Sequence, residues 1–174
     1  IVFAATRPER TRALILTGTF SYNGYAGWDD LDRDPAELWA RLVPELGDDY
    51  TPSVKQLARW QASGRAARSA WGSGEVLKAL CPSIRSMRQL AMLERMSASP
   101  GMARAALDAL LLIDVRPILP TISVPTLVIH ARDEVIPVQE GRYIADHIPG
   151  ARLLEVEGSD HAPWLADPDR ILTG

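Results

Sequence analysis

Three short runs with the character of β-strands, widely separated in the chain, constrain the fold more than any other feature. They cover residues 13–16, 126–130 and 152–156, and turn-forming glycine or proline residues stand close to each of them. The first two runs are almost continuously apolar, which is typical of a strand buried on both faces of a parallel sheet. The third run, which includes Arg152 and Glu155, is predicted as a further strand. A helical pattern over residues 138–147 separates the last two runs, which indicates a right-handed parallel crossover. The sequence therefore predicts an α/β fold with a mostly parallel sheet and flanking helices.

A long helical insertion follows the first of these strands. Residues 21–113 hold four of the five tryptophans and several amphipathic repeats. Asp34 suits the N-cap of one helix, with Pro35 at its first position and Glu37 at its third. Further helices are predicted over residues 54–62, 75–80, 82–96 and about 103–111. We thus expect an α/β core made of residues 1–20 and 114–174, and a helical cap made of residues 21–113.

Composition excludes several classes of protein. The chain has 174 residues, 47% of them hydrophobic, and a net charge of −3, which is ordinary for a globular domain and argues against a nucleic-acid partner. Its apolar runs are too short to span a membrane. A single cysteine, Cys81, fits a reducing, cytoplasmic location. The three histidines are too dispersed to predict a metal site.

Two ionisable residues follow the last two predicted strands, where open α/β sheets bind their ligands. Asp133 lies in the loop after residues 126–130, and His161 lies in the loop after residues 152–156. A carboxylate bonded to imidazole Nδ1 fixes the tautomer, so that Nε2 can deprotonate a nucleophile. Taken singly, Asp133 could be an ordinary turn residue and His161 a solvated loop residue. Their order along the chain favours the catalytic interpretation.

The motifs around these residues resemble those of the α/β-hydrolase family. The resemblance rests on residues 126–130, on the segment from Asp133 to Pro137 and on the segment from Gly158 to His161. In the family pattern the catalytic acid stands four residues before the proline, which selects Asp133 over Glu134. Stretches at 3–10, 71–75, 97–101, 148–152 and 161–164 are similar to actinobacterial hydrolase domains, including ones found ahead of adenylate cyclase domains and described as lipases or esterases.

The resemblance implies a carboxylic-ester hydrolase with a Ser-Asp-His triad, acting on a small ester or acyl substrate without a metal or organic cofactor. No Gly-x-Ser-x-Gly motif occurs in the sequence, so the nucleophile and its oxyanion hole are expected upstream of Ile1. We therefore expect the C-terminal half of a hydrolase, with its cap. A missing N-terminal half, or a second copy of the chain, would cover the apolar surface left open. The loop between His130 and Asp133 is a residue shorter than the pattern predicts.

The remaining candidates have weaker support. Trp28, Trp39, Trp60 and Trp164 are candidates for lining a substrate pocket, although packing in the core explains each tryptophan, Trp71 included, about as well. His130 ends a buried strand, which favours a core or supporting role over catalysis. Asp160 could either tune His161 or cap its loop. Cys81 is expected to be a packed small residue.

Two other functions remain open at this level. The same fold supports epoxide hydrolysis, C–C bond cleavage and perhydrolase chemistry, and the identity of the upstream nucleophile would discriminate among them. The domain could instead bind a ligand under the cap without catalysis, as a sensor in a larger signalling protein.

Overall fold

A computed structural model describes residues 1–22, 32–34, 37, 54–110, 112–165 and 169. Its strands are β1 (Leu14–Thr17), β2 (Thr126–Ala131) and β3 (Arg152–Val156). Its helices are α1 (Val2–Thr6), α2 (Val54–Ser69), α3 (Glu75–Leu80), α4 (Met87–Ser97), α5 (Pro100–Leu110) and α6 (Val138–His147). Short 3-10 turns occur at Pro8–Arg10, Arg116–Thr121 and Pro163–Leu165.

The three strands form one parallel sheet in the order β1-β2-β3. Thr17 pairs with Ile129, and Ala131 pairs with Val156, so all three carboxyl ends lie at one edge of the sheet. The central strand, β2, is buried along nearly its whole length, as its apolar sequence predicts. The structural comparisons given below confirm the predicted fold class, and the three strands occur where the three runs predict them.

The helical insertion leaves and rejoins the sheet at one place. Tyr22 and Asp114 form an isolated antiparallel bridge, and the Val115 N–H donates to the Ser21 carbonyl at 2.8 Å. This closure lies within one or two residues of the boundaries predicted for the cap. The division into two domains nevertheless stays a prediction.

Several helices differ from their predicted bounds. Helix α2 continues to Ser69 instead of ending near residue 62. Helix α4 begins at Met87 rather than after Pro82, because the Ser86 hydroxyl accepts from the Gln89 N–H and caps the helix there. Asp34 does accept from the Glu37 N–H at 3.2 Å, as an N-cap should. The rest of that predicted helix lies outside the described residues.

Two separate apolar clusters hold the described parts of the chain together. The sheet cluster draws only on segments that flank the insertion, and its most buried members are Leu119, Val128 and Ile144. The cap cluster consists of Ala66, Ala67 and Val76, with Trp71, Leu80 and Leu107 packed against it. Among the described residues, no helix has both the length and the apolar character that a membrane span requires.

Candidate active site

The candidate site lies where the carboxyl ends of the three strands meet. Because parallel strands lie about 5 Å apart, the loops that leave them at this edge come within reach of one another. Glu134 stands in the tight turn after β2, His161 stands in the loop after β3, and Gly18 directly follows β1. The parallel register therefore brings together three positions that are far apart in the sequence.

His161 makes its side-chain hydrogen bond with Glu134. Its Nδ1 lies 2.5 Å from Glu134 Oε2, and the side chain of Glu134 is only 1% exposed, whereas that of His161 is 34% exposed. A carboxylate acceptor on Nδ1 means that Nδ1 carries the hydrogen, so the neutral ring presents a bare Nε2 lone pair. No described residue hydrogen-bonds to Nε2. The buried carboxylate therefore holds the imidazole through Nδ1, and the described part of the chain leaves Nε2 without a hydrogen bond.

The sequence predicts Asp133 as the partner of this histidine, but the structure places the neighbouring residue there. Asp133 is exposed; its N–H donates to the Gly158 carbonyl at 3.0 Å, and its own carbonyl accepts from Arg59. These two backbone bonds fix the turn so that Glu134 points inward. Counting residues back from Pro137 does not reveal this, because the direction of a side chain depends on the turn itself.

A second imidazole lies against the same carboxylate. His130 Nε2 is 3.1 Å from Glu134 Oε1, and both side chains are buried. Oε1 nevertheless makes no hydrogen bond within the described structure, because the Nε2–H group of His130 is directed to the Ile136 carbonyl at 2.9 Å. We infer that this contact is electrostatic and steric rather than a hydrogen bond. His130 thus has the supporting position that its buried strand favours.

Gly18 makes room for the imidazole. Its φ is +52°, and a Cβ placed there would lie 2.5 Å from both Cε1 and Nδ1 of His161 and 3.0 Å from Glu134 Oε2. No real Cβ tolerates the first two distances, so the backbone of residue 18 forms one wall of the histidine site. The sequence shows Gly18 only as the end of a strand, and nothing in it indicates this role.

The loop that carries His161 is anchored to residues at and just after the end of α3. The carboxylate of Asp160 accepts from the N–H of Ser83 at 3.0 Å and from its hydroxyl, and the His161 N–H donates to the Leu80 carbonyl at 2.9 Å. Asp160 therefore holds the loop.

Cys81 lies beside this anchor and is buried, and burial raises the pKa of its thiol. A thiol with a raised pKa is a poor nucleophile.

Of the four tryptophans proposed to bind substrate, the structure describes two. Trp28 and Trp39 lie outside the described residues. Trp60 is half-buried on α2, and Trp164 is 42% exposed. A substrate-binding role for these residues stays a prediction.

Trp71, by contrast, has a structural role. Its indole N–H donates to the Ala98 carbonyl at 2.9 Å, and its ring packs against the cap cluster. It also borders an open pocket of about 250 Å³ lined in part by Arg68 and Arg104, away from Glu134 and His161.

The chain is similar to several bacterial hydrolases, although no family model matches it. It is 26% identical over 167 residues to the pimeloyl-[acyl-carrier protein] methyl ester esterase of Neisseria meningitidis, covering 95% of this chain and 59% of that protein. It is 28% identical over 178 residues to the protein of the same name from Nitrosomonas europaea, covering 99% and 64%. The chain thus spans about three fifths of the length of these relatives.

Solved structures show the same fold. A hydrolase from Pseudomonas aeruginosa matches 98% of this chain and 56% of its own length, with a TM-score of 0.60 and 22% identity. Together with the parallel sheet and its flanking helices, these solved structures show that the chain has the α/β fold of such hydrolases.

Proposed function

We propose that this chain forms the acid-and-histidine part of a carboxylic-ester hydrolase, and that Glu134, rather than Asp133, is the acid. One observation carries the proposal: Glu134 is buried and bonded to His161 Nδ1 at 2.5 Å, while no described residue hydrogen-bonds to the opposite imidazole nitrogen. In this scheme Glu134 orients the ring and stabilises the imidazolium. His161 takes the proton of a serine hydroxyl as it attacks the ester carbonyl, and then gives that proton to the departing alkoxide.

We place the serine outside the 174 residues. The sheet supports this placement, because β1 pairs only with β2 among the described strands and the side of β1 away from the core leaves Ile15 66% exposed. A further parallel strand can pair with the edge of β1 opposite β2, and an element packed on the face of the extended sheet would cover Ile15. The loop leaving that strand would emerge next to Gly18, on the open side of His161.

The test compares two neighbouring carboxylates in the complete enzyme, in which the serine is present. Glu134→Gln should lower kcat on a short-chain aryl ester about 10⁴-fold, because the amide favours the wrong imidazole tautomer and no longer stabilises the imidazolium. Asp133→Asn, its matched control, should change kcat less than threefold, since that side chain is exposed. The reverse ranking would restore Asp133 as the acid.

Covalent labelling distinguishes the hydrolase interpretation from the ligand-sensor interpretation. A fluorophosphonate probe should label the complete wild-type protein at one serine, and His161→Ala should slow this labelling strongly because the general base is lost. Absence of labelling in folded wild-type protein would favour the sensor. Labelling of an upstream aspartate by an epoxide, without labelling by the fluorophosphonate, would favour epoxide hydrolysis.

A second candidate concerns the substrate, and charge favours it. Residues 54–110 contain nine Lys and Arg but only three Asp and Glu, although the whole chain carries a net charge of −3. Such a basic surface would attract an anionic carrier by electrostatic steering. The named relatives act on an ester borne by an acyl carrier protein, and we propose the same substrate class here as an alternative to a free small ester.

Salt dependence distinguishes these two substrates. The kcat/KM for a methyl ester on the carrier protein should fall at least tenfold between low and moderate salt, because exposed charges are screened. The value for a small methyl ester should change little. In the complete enzyme, the double change Arg85→Glu and Arg88→Glu should affect only the carrier substrate; both side chains are exposed. Equal effects on the two substrates would remove the carrier proposal.

A further inference from the structure

One arginine of the cap reaches both loops of the candidate site. Arg59 lies on α2, and its Nη1 donates to the Asp133 carbonyl at 3.0 Å while its Nη2 donates to the Ser159 carbonyl at 2.8 Å. These carbonyls stand one residue before Glu134 and two residues before His161. A single planar group thus joins the backbone of the acid loop to the backbone of the histidine loop.

The same guanidinium is fixed at its other side by α3. Its Nε and Nη2 donate to the Ala79 carbonyl at 3.1 and 2.9 Å, and Nη2 also approaches the Leu80 carbonyl at 3.4 Å. Carbonyls in the last turn of a helix lack partners within the helix and favour a nearby cation. Arg59 therefore spans three segments with a donor fork that no other side chain provides.

Other bonds from the cap converge on the same two loops. The Gln56 side chain, one turn before Arg59 on α2, donates to the Glu134 carbonyl at 2.8 Å. The carbonyl of Leu80 accepts from the His161 N–H at 2.9 Å. The backbone of the acid and the backbone of the histidine are consequently both bonded to the cap, and Arg59 is the group that contacts all three segments.

The charge of Arg59 suits this position. Burial lowers the pKa of its guanidinium, while the carboxylates of Asp160 and Glu134 oppose that effect. Its hydrogen bonds to described residues all go to carbonyl oxygens, so the cation does not neutralise Glu134 by direct contact. It can align the acid without competing with His161 for the carboxylate.

We propose that Arg59 is a positioning residue that sets the distance between Glu134 and His161 by tying their two loops to the cap. The inference rests on the proposed function for its catalytic meaning, but the tie itself can be measured separately. The bonds of Arg59 to both loops would make the cap part of the catalytic framework as well as a cover for the site.

The first experiment uses amide hydrogen exchange on the complete protein. Arg59→Met should speed exchange of the Asp133 and His161 amides at least tenfold, because their loops lose a shared anchor. Exchange in β2 should not change. Lys55→Met, on the same helix and exposed, is the matched control and should leave both amides as in the wild type. Unchanged exchange in a folded Arg59→Met variant would overturn the proposal.

The second experiment measures catalysis in the complete enzyme. Arg59→Lys keeps the charge but loses the fork, so kcat should still fall at least tenfold while KM changes less than threefold. Added methylguanidinium should partly restore kcat in Arg59→Ala and have no effect on the wild type. A different result would contradict positioning: Arg59→Ala loses activity and is not rescued by methylguanidinium, whereas Arg59→Lys keeps the wild-type kcat. Only the charge of residue 59 would then matter.

The two experiments distinguish the inference from the proposed function. Faster exchange at both loops in a protein that hydrolyses no ester would refute the hydrolase assignment and leave the tie in place. Normal ester hydrolysis in Arg59→Met and Arg59→Lys would refute the positioning role of Arg59 and leave the hydrolase assignment in place. If Arg59→Met fails to fold, Arg59→Lys supplies the exchange measurement, since it preserves the cation beside α3.

Discussion

At residue 18 the backbone has a left-handed conformation and lies directly against His161. Gly18→Ala should therefore be destabilising for two reasons, the positive φ and the overlap with the ring. We expect a loss of about 2–4 kcal/mol, since the left-handed conformation alone costs about 1–2 kcal/mol in a residue with a Cβ. Urea unfolding measures this loss. Gly18→Ala should also lower the activity of the complete enzyme, because the added methyl group displaces the His161 ring.

The control for this residue is Gly150→Ala. Gly150 also has a positive φ, +72°, but a Cβ there would meet nothing within 4 Å. It should therefore show the backbone cost alone. Equal destabilisation by the two changes would mean that residue 18 does not confine the imidazole.

At the scale of elements, α6 packs on β2 through a glycine. A Cβ at Gly141 would lie 2.7 Å from His130 Nδ1 and 3.0 Å from its Cβ. Helical Gly→Ala changes normally stabilise by up to about 1 kcal/mol, but here the overlap should reverse the sign and shift His130 against Glu134. Gly101→Ala on α5, where nothing lies within 4 Å, should be neutral or stabilising. Opposite signs in thermal unfolding check this prediction.

A charge cluster joins β3 to its neighbours. Glu155 accepts from Arg142 on α6 at 2.6 Å and from Arg132 after β2 at 3.0 Å. The bond with Arg142, followed by that with Arg132, lowers the pKa of Glu155 below 4.5. A carboxylate with a lowered folded-state pKa stabilises the protein above the unfolded-state pKa, and this contribution is lost as pH falls through the folded-state value.

Glu155→Gln should accordingly cost about 0.5–1 kcal/mol at pH 7, because the arginines are half-exposed and solvent screens the pair. The difference from the wild type should shrink as pH falls below 4.5. Urea unfolding at pH 7 and pH 3 measures both values. Glu9→Gln, in an exposed turn, serves as the control. A difference that stays constant down to pH 3 would contradict the charge explanation.

At the scale of the whole molecule, the two apolar clusters share no residue. Val76→Ala in the cap cluster should speed amide exchange across α2 and α3 without affecting β2. Val128 is a buried residue of the sheet cluster, so Val128→Ala should speed amide exchange in β2 without affecting α2 and α3. Each change should cost about 1–2 kcal/mol locally, as expected for removal of buried methyl groups. Uniform exchange changes in both variants would indicate a single cooperative unit.

The sequence by itself determined the sheet and the location of the site. The three runs became the three parallel strands, and the loops after β2 and β3 carry the acidic and histidine motifs at one sheet edge. Apolar periodicity and strand order suffice for this, because burial on both faces and the handedness of crossovers leave few alternatives.

Only the tertiary structure decided which side chains meet at that edge. Glu134 rather than Asp133 lies on His161 because two backbone bonds of residue 133 orient the turn. No sequence signal pointed to Gly18 or Arg59. The contact of the Gly18 backbone with the His161 ring, and the bonds of Arg59 to both loops, depend on distances between segments that are remote in the chain. Patterns along a sequence report which residues are buried, whereas the direction of one side chain in a tight turn depends on everything packed around it.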